Sequence, residues 1–237
     1  MVTAVASDVK VLGSWTSPFV MRPRIALNIK SVDYEFLQEE FGSKSDLLLK
    51  SNPVYKKIPV LIHNDKPVSE SMIIVQYVDE TFTGPSILPT DAYERALARF
   101  WAVYVDDRWW FESLRGVAAG KTDAEKATAL EGVTSGLALL EEAFEKLSKG
   151  KGFFGGDTIG YLDIALGSCL GWIRVTEKFS GTSIIDETKL PNIYAWSERF
   201  CSDPAVKELM PDTEKLFEFA NMLFAKTSGA AAAAPPK

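Results

Sequence analysis

The chain of 237 residues has a single histidine, His63, and two cysteines, Cys169 and Cys201. One imidazole excludes most metal sites with histidine ligands, as well as Ser-His-Asp and Cys-His catalysis. We therefore expect no metal centre and a chemistry that needs no histidine base. The cysteines are far from any Cys-x-x-Cys spacing, which argues against a disulfide framework and favours reduced thiols in the cytosol.

Excess positive charge and long apolar runs are also missing. Lys and Arg number 26 against 32 Asp and Glu, a net charge of −6, whereas a sequence-independent nucleic-acid binder needs a basic surface. The mean hydropathy is about zero, and there is no run of about 20 apolar residues, the length of a membrane helix. The N-terminus lacks the apolar segment of a secretory signal. We expect a cytosolic protein that binds neither nucleic acid nor membrane.

Hydrophobic residues make up 46% of the chain and charged residues 24%, as in a well-packed globular protein. In the first part, short apolar runs alternate with helical ones. The predicted strands are Val9–Trp15, Tyr34–Phe41, Ile58–His63 and Pro67–Val68, with a turn at Asn64–Lys66 that leads into the last strand. The predicted helices are one that begins at Ser17-Pro18 and one over Ser71–Phe82. Pro23 removes a backbone donor inside the first helix, which is expected to be kinked or to start later. The order of elements predicts an α+β fold of the thioredoxin type.

From Tyr93 onward the apolar residues recur at helical spacing, and no strand is predicted. One predicted helix begins near Gly160, where Asp163 has the spacing of a capping box. Another covers Pro211–Lys226. The segment Phe82–Thr90, with glycine and prolines, separates the two parts. We expect a thioredoxin-like domain over 8–84, an all-helical bundle domain over 91–227 and a disordered tail over 228–237.

Three short motifs lie at the ends of the predicted elements. Ser17-Pro18 opens the first helix, Pro59 begins a strand, and Glu70-Ser71 directly precedes an apolar helix. Taken singly, the serines and the glutamate have an ordinary explanation as helix-start residues. Together the motifs place two helix N-termini and a candidate cis-proline around one point of the fold. Helix N-termini attract carboxylates and thiolates.

The same motifs resemble those of the plant tau-class glutathione transferases. The matching runs are Trp15–Phe19 with Arg22, Asn52–Leu61, Glu70-Ser71, Phe154–Asp157 and Asp163–Leu166. The resemblance extends from about Val9 to Phe224. It implies a glutathione transferase architecture and a homodimeric enzyme of detoxification and stress response. It also implies glutathione as co-substrate and no prosthetic group.

Carried over residue by residue, the resemblance implies how the cysteinyl part of glutathione is bound. Ser17 would donate a hydrogen bond to the sulfur and hold it as a thiolate. Ile58, beside a cis Pro59, would bind the cysteinyl backbone. Arg22 and Asp106 would belong to a polar network that supports the neighbouring γ-glutamyl subsite.

The resemblance also implies roles at the two ends of glutathione. Glu70, supported by that network, would hold the ammonium of the γ-glutamyl end, and Ser71 its carboxylate. Lys44 and Lys57 would face the glycyl carboxylate.

A serine hydroxyl is sufficient for the thiolate role. A free thiol of pKa about 8.5 is only about 3% ionised at neutral pH, and lowering that pKa by about two units requires about 2.7 kcal/mol. A hydrogen bond to a charged acceptor contributes about 1.5–3 kcal/mol, and a helix N-terminus about 0.3–1 kcal/mol. Ser17 would then act as a donor and not as a nucleophile, which agrees with the single histidine.

The second substrate implied by the resemblance is an apolar electrophile. Trp109, Trp110 and Phe111 are consecutive, so they cannot all face one core, and at least one should line a cleft or an interface. The candidates for a hydrophobic substrate site in the helical domain are Trp110, Leu114, Trp172 and Phe217. For Trp172 and Phe217 a plain core position is equally compatible with the sequence.

Two other functions are compatible with the sequence. The chain could carry hydrophobic ligands without turning them over, or it could be a non-catalytic interaction domain. The complete glutathione motif favours an enzyme that conjugates glutathione to hydrophobic electrophiles, with glutathione peroxidase activity as a side reaction. For the homodimer, ion pairs of Asp79 or Glu80 with Arg95 or Arg99 across a two-fold axis are candidate contacts.

Overall fold

The first part of the chain is built on a four-stranded sheet. The computed structural model describes residues 8–114, 116–117 and 120–232, with the backbone alone at 108, 110–112 and 226–232. The sheet has the order β2-β1-β3-β4. Its strands are β1 (Val9–Gly13), β2 (Glu35–Gln38), β3 (Val60–His63) and β4 (Lys66–Ser69). β1 and β2 are parallel, and the other neighbours are antiparallel.

Helices cover both faces of this sheet, since side chains alternate along each strand. The helices are α1 (Pro18–Ile29), α2 (Asp46–Ser51) and α3 (Ser71–Thr81). The face that packs on α1 and α3 buries Val11, Leu61, Ile25 and Ile74. The face that packs on α2 buries Leu12, Ile62 and Leu48. This is the thioredoxin-like arrangement predicted from the sequence.

A two-residue turn joins β3 to β4, as predicted. Asn64 and Asp65 have φ angles of 49° and 60°, left-handed values that these residue types tolerate better than most. The turn sets His63 opposite Lys66 in the antiparallel pair.

Helix α1 runs without interruption from Pro18 through Pro23 to Ile29. A later start of this helix, one of the two outcomes expected from Pro23, is therefore wrong. Ser17 is the N-cap, and its Oγ accepts a hydrogen bond from the backbone N of Val20 at 3.4 Å. Pro18 occupies the first helical position, where a missing N–H costs nothing.

The strand predicted over Tyr34–Phe41 is shorter in the structure, because Glu39 leaves the sheet. The Glu39 carboxylate accepts hydrogen bonds from the backbone N and the Oγ of Ser45, at 3.2 and 2.6 Å. These bonds close a loop and direct the chain into α2, whose N-cap is Ser45. The sequence did not predict α2, since six residues are too few for helical periodicity to be recognised.

The second part of the chain is helical in its described residues, as predicted. Its helices are α4 (Ala92–Tyr104), α5 (Asp123–Leu147), α6 (Tyr161–Gly167), α7 (Leu170–Ser180), α8 (Pro191–Ser202) and α9 (Thr213–Ala232), and α4 continues into a π-helical segment, Val105–Leu114. The helix predicted from Gly160 is thus two helices. The Ser168 hydroxyl donates to the carbonyl of Ala165 at 3.1 Å, a side-chain bond that competes with helix continuation.

The predicted tail differs from the structure at its start. α9 continues to Ala232, so residues 228–232 are helical and not irregular. The alanine run explains this, because alanine has the highest helix propensity. Residues 233–237 lie outside the described part of the chain. In the part that is described, no helix combines the length and the apolar character needed to cross a bilayer.

Asp163 makes more hydrogen bonds at the start of α6 than the predicted capping box contains. Its Oδ2 accepts from the backbone N of Gly160 and Gly155, both at 2.8 Å. Its Oδ1 accepts from the backbone N of Phe154 at 2.8 Å and from Trp196 Nε1 at 2.7 Å. Complete burial raises the pKa of Asp163 to about 6, against the lowering effect of these four donors. At neutral pH the carboxylate therefore accepts all four bonds.

A buried ion pair fixes the linker between the two parts. Lys30 Nζ lies 2.8 Å from Asp79 Oδ1, and the Asp79 carboxylate also accepts from the backbone N of Ile87 and Leu88, both at 2.9 Å. Asp79 is therefore occupied within the chain, which leaves Glu80 as the acidic residue for the predicted contact across a dimer axis.

The two arginines proposed for that contact also bind within the chain. Arg95 donates to the carbonyls of Pro89 and Thr90, and Arg99 donates to Gln76 Oε1.

Replacing the capping carboxylate tests this account of the helical part. In Asp163→Asn the amide group faces two of the four backbone and indole donors, and each buried N–H left without an acceptor costs about 1–3 kcal/mol. We expect the free energy of unfolding to fall by about 2–6 kcal/mol. Urea unfolding followed by circular dichroism measures it.

Asp157→Asn is the matched control, because Asp157 precedes the same helix but its side chain is 77% exposed, in a 3.1 Å pair with Lys151. Exposed pairs contribute little, so this variant should unfold like the parent chain. Equal stability of Asp163→Asn and Asp157→Asn would contradict the role given to Asp163.

Candidate active site

The sheet brings three chain segments together at one end of its strands. Leu12 of β1 pairs with Val60 of β3, and Val60 pairs with Ser69 of β4. Three segments therefore meet at this end of the strands: the chain after Gly13, the chain before Val60 and the chain after Ser69. These are the segments that carry the three motifs predicted to form a glutathione site.

Ser17 lies between β1 and α1 at the mouth of a cleft. Its Oγ uses a lone pair to accept from Val20 N, so the hydroxyl hydrogen remains available for an acceptor in the cleft. The first amides of α1 point the same way, with the positive end of the helix dipole. A sulfur anion placed here receives a donor and a favourable field.

Ile58 and Pro59 form a cis peptide bond, as predicted. Ile58 lines the cleft beside Ser17. Glu70 and Ser71 lie at the adjacent start of α3, outside the cleft lining. Ser71 is the first residue of α3 and is buried, whereas Glu70 is the exposed N-cap.

Glu70 has an unusual backbone for a residue with a side chain. Its φ is 74°, and its side chain makes no capping hydrogen bond to α3. A left-handed conformation of this kind costs about 1–3 kcal/mol and concentrates at binding sites. Glu70 directly precedes the first amides of α3. An acid beside a helix N-terminus can hold a zwitterion, because the acid takes an ammonium and the amides take a carboxylate.

Arg22 is completely buried behind these residues. Nη1 donates to Asp106 Oδ2 at 2.8 Å and to Ser71 Oγ at 3.2 Å. Nη2 donates to Asp106 Oδ1 at 2.6 Å and to the Ala165 carbonyl at 2.9 Å, and Nε donates to Ser168 Oγ at 3.0 Å. All five N–H groups of the guanidinium are thus used. The predicted network exists, but its contact is with Ser71 and not with Glu70.

Burial and charge act in opposite directions on this network. Burial alone would lower the pKa of Arg22, and the Asp106 carboxylate more than compensates, so the pKa is raised. Complete burial raises the pKa of the nearby Cys169 thiol to about 12. Cys169 is therefore a neutral core side chain and does not compete with Ser17 for the thiolate role.

The cleft beside Ser17 has a volume of about 540 Å³. One wall belongs to the first part of the chain and is formed by Ser17, Glu39, Lys44, Lys56, Lys57 and Ile58. The other wall belongs to the helical part and is formed by Leu114, Trp172, Val175, Phe179, Phe219 and Phe224. One wall is polar and cationic, and the other is apolar and aromatic.

The structure brings two of the four residues predicted for the hydrophobic site to the cleft. Leu114 and Trp172 line the cleft, whereas Phe217 does not. Phe217 packs on Phe179, with ring centroids 4.7 Å apart, so it supports the wall from behind. The side chain of Trp110 lies outside the described residues.

Phe219 takes the place predicted for Phe217. Its ring lies 6.3 Å from that of Trp15 and 5.6 Å from that of Phe41. It therefore joins α9 to two loops of the first part of the chain across the cleft. Both residues are aromatic and lie on the same helix, so helical spacing alone could not choose between them.

Of the three consecutive aromatic residues, Trp109 is the one whose side chain the structure describes. Trp109 is buried, and its Nε1 donates to the Val133 carbonyl at 3.0 Å. It is a core residue, and the cleft wall at this level is Leu114 at the end of the π-helical segment.

His63 lies at the far end of β3 from the cleft, because Val60 is the residue of β3 at the cleft end. Its Nδ1 is 2.8 Å from Tyr77 Oη. The imidazole is therefore remote from Ser17. Among the described residues, no three His, Cys, Asp or Glu side chains are grouped so as to hold a metal ion.

Two family models match most of the chain. The glutathione S-transferase N-terminal domain matches residues 7–80, and the glutathione S-transferase C-terminal domain matches residues 94–204. Glutathione S-transferase U17 of Arabidopsis thaliana is 61% identical over 223 residues, which cover 93% of this chain and 98% of the relative.

Solved structures agree. A tau-class glutathione S-transferase from mango, Mangifera indica, is 62% identical with a TM-score of 0.90, covering 92% of this chain and 100% of that chain. A rice glutathione S-transferase in complex with glutathione is 37% identical with a TM-score of 0.85, covering 94% and 99%. These matches confirm the thioredoxin-like domain followed by an all-helical one. The chain belongs to the tau class of the glutathione S-transferases, enzymes whose co-substrate is glutathione.

Proposed function

We propose that this chain transfers the thiolate of glutathione to hydrophobic electrophiles, and that Ser17 supplies the hydrogen bond that holds the thiolate. The observation that carries the proposal is the cleft, which joins Ser17 and three lysines on one wall to Trp172 and Phe179 on the other. A polar tripeptide and an apolar acceptor can meet there at one hydroxyl.

Glutathione binds through its charged ends in this proposal. Glu70 takes the ammonium of the γ-glutamyl residue, and the hydroxyl of Ser71 and the first amides of α3 take its carboxylate. Ile58 binds the cysteinyl backbone through its own N–H and C=O. Lys44 and Lys57 take the glycyl carboxylate, at the far side of the cleft.

The bound thiol then loses its proton to solvent. Ser17 donates its hydroxyl hydrogen to the sulfur, and the N-terminus of α1 adds its positive field. The thiolate attacks the electrophilic carbon, a carbon–sulfur bond forms, and the leaving group departs with the bonding pair. The aromatic wall holds the acceptor and keeps water from its other faces.

The same thiolate supports the peroxidase side reaction. It attacks the peroxide oxygen, the O–O bond breaks, and the alcohol leaves after taking up a proton, while the glutathione sulfur becomes a sulfenic acid. The thiol of a second glutathione then attacks this sulfur, and glutathione disulfide and water are released. A carrier without turnover would need the apolar wall and not the thiolate site, so the geometry around Ser17 favours the enzyme. Cytosolic residence agrees with the two free cysteines, Cys169 and Cys201.

We further propose a homodimer, supported by an apolar face on α4. Tyr93, Phe100 and Val103 are 71%, 61% and 57% exposed and lie on one side of the helix. Ile73 of α3 is 55% exposed and extends the face, since Gln76 of α3 contacts Arg99 of α4. Exposed apolar side chains grouped in this way mark interaction surfaces.

Removing the Ser17 hydroxyl tests the thiolate role. In Ser17→Ala we expect the pH at which bound glutathione ionises to rise by about one to two units, because a charged hydrogen bond contributes about 1.5–3 kcal/mol. The rate of conjugation to a chlorinated aromatic at pH 6.5 should fall by about 10-fold or more. Ultraviolet titration of the thiolate band and steady-state kinetics measure the two effects.

Ser43→Ala is the matched control, since Ser43 also lines the cleft but is exposed and does not cap a helix. It should leave the ionisation unchanged. If Ser17→Ala titrates like Ser43→Ala, the thiolate donor lies elsewhere and Ser17 is only the cap of α1.

Neutralising Glu70 tests the ammonium subsite. Glu70→Gln keeps the shape and the backbone conformation but removes the charge, so the KM for glutathione should rise by about 10-fold to 100-fold. The melting temperature should stay constant, because the side chain makes no capping bond to α3. Calorimetry of glutathione binding and thermal unfolding give both quantities.

Glu80→Gln serves as the control for charge alone, since Glu80 is exposed near the other end of α3. If Glu70→Gln and Glu80→Gln bind glutathione with equal affinity, Glu70 does not bind the ammonium and is only a helix-start residue.

A charge on the apolar face of α4 tests the dimer. The parent chain should sediment at twice its 26.2 kDa mass, and Phe100→Asp should sediment as a monomer at micromolar concentration. Leu139→Asp, on the exposed side of α5 at a residue 47% exposed, should remain dimeric. A parent chain that sediments as a fully active monomer rules out the dimer.

A further inference from the structure

Trp172 connects the two walls of the cleft. It is part of α7, and its side chain belongs to the apolar wall. Its indole Nε1 donates a hydrogen bond to the backbone carbonyl of Thr16, at 2.9 Å. Thr16 precedes Ser17, so a residue of the acceptor wall is bonded directly to the peptide that leads into the proposed thiolate donor.

The loop that receives this bond is small and already constrained. The backbone N of Ser17 donates to the Ser14 carbonyl at 3.1 Å, and the hydroxyls of Ser14 and Thr16 lie 3.0 Å apart. The Thr16 carbonyl and the Ser17 nitrogen belong to one planar peptide unit. Fixing the carbonyl therefore fixes the plane from which the Ser17 side chain projects.

The donor is itself held firmly. Thr176 Oγ1 donates to the Trp172 carbonyl at 2.8 Å, and the neighbouring Ile173 and Val175 are buried in the helical core. Two other tryptophans show the contrast: Trp109 and Trp196 donate to Val133 and Asp163, inside the helical part. The Trp172 bond instead crosses to the loop of the first part of the chain.

We propose that Trp172 is a positioning residue for Ser17: its indole N–H holds the Thr16 carbonyl and thereby fixes the direction in which the Ser17 hydroxyl points into the cleft. The inference rests on the proposed role of Ser17. It gives Trp172 two roles, since the same ring that contacts the acceptor also keeps the donor aligned with the glutathione sulfur.

Trp172→Phe is the direct test, because it retains an aromatic wall and removes the N–H. A neutral hydrogen bond corresponds to about a threefold to tenfold change in an equilibrium, so the pH at which bound glutathione ionises should rise by about half to one unit. kcat at pH 6.5 should fall by about threefold to tenfold, and the deficit should shrink at higher pH, where the thiol is ionised in both proteins. The KM for glutathione should change less than twofold, since no glutathione contact is removed.

Phe179→Leu is the matched control. Phe179 lines the same wall from the same helix and donates no hydrogen bond, so this variant should alter the KM for the acceptor and leave the ionisation of bound glutathione unchanged. Ser17→Ala, titrated alongside, separates the two hypotheses.

If Ser17→Ala raises the ionisation pH and Trp172→Phe does not, Trp172 is a wall of the acceptor site and the inference is overturned. If Ser17→Ala has no effect, the proposed role of Ser17 fails and the inference fails with it.

A measurement on the unaltered chain covers the case in which Trp172→Phe does not fold. The six tryptophans give separate indole N–H signals in a nitrogen-15 labelled protein. The Trp172 signal should shift with the same midpoint as the thiolate band when bound glutathione is titrated. A Trp172 signal that is constant through that midpoint overturns the inference.

Discussion

The contacts of one buried guanidinium hold the site together. Arg22 extends from α1 and uses all five of its N–H groups on the start of α3, the π-helical segment and the chain around the junction of α6 and α7. A buried charge without partners would cost several kcal/mol. The folded chain must therefore keep these elements in contact with Arg22. One of them is the first residue of α3, Ser71, where glutathione is proposed to bind.

The hydrogen bonds of Arg22 help to explain why the two parts of the chain share one cleft. The buried residues of the sheet and of the helical bundle belong to one continuous core, which includes both Val11 and Trp196. Arg22 joins the two parts on the buried side, the Lys30–Asp79 pair fixes the linker, and the Trp172 bond joins them on the open side. Three polar contacts thus set the width of the cleft.

The sequence predicted the elements that depend on local signals. Ser17-Pro18 begins α1, Asn64-Asp65 turns between β3 and β4, and the aspartate at 163 caps α6, because each of these depends on residues a few positions apart. Contacts between distant residues do not follow from local patterns. Arg22 and Asp106 are 84 positions apart, and their common network was expected from the family resemblance alone. α2 is too short to show a period. Phe217 and Phe219 are both aromatic, and the choice of face follows from how α9 packs against α7, which the sequence of α9 alone does not contain.

The π-helical segment Val105–Leu114 carries a constraint on chain length. It presents Asp106 to Arg22 near one end and Leu114 to the cleft at the other. In a regular helix each residue turns the chain by a fixed angle about the axis and advances it by a fixed distance. Deleting one residue between these two would rotate one of them away from its partner, while substitutions that preserve the count would not. The number of residues between the two contacts is therefore constrained in relatives that keep both.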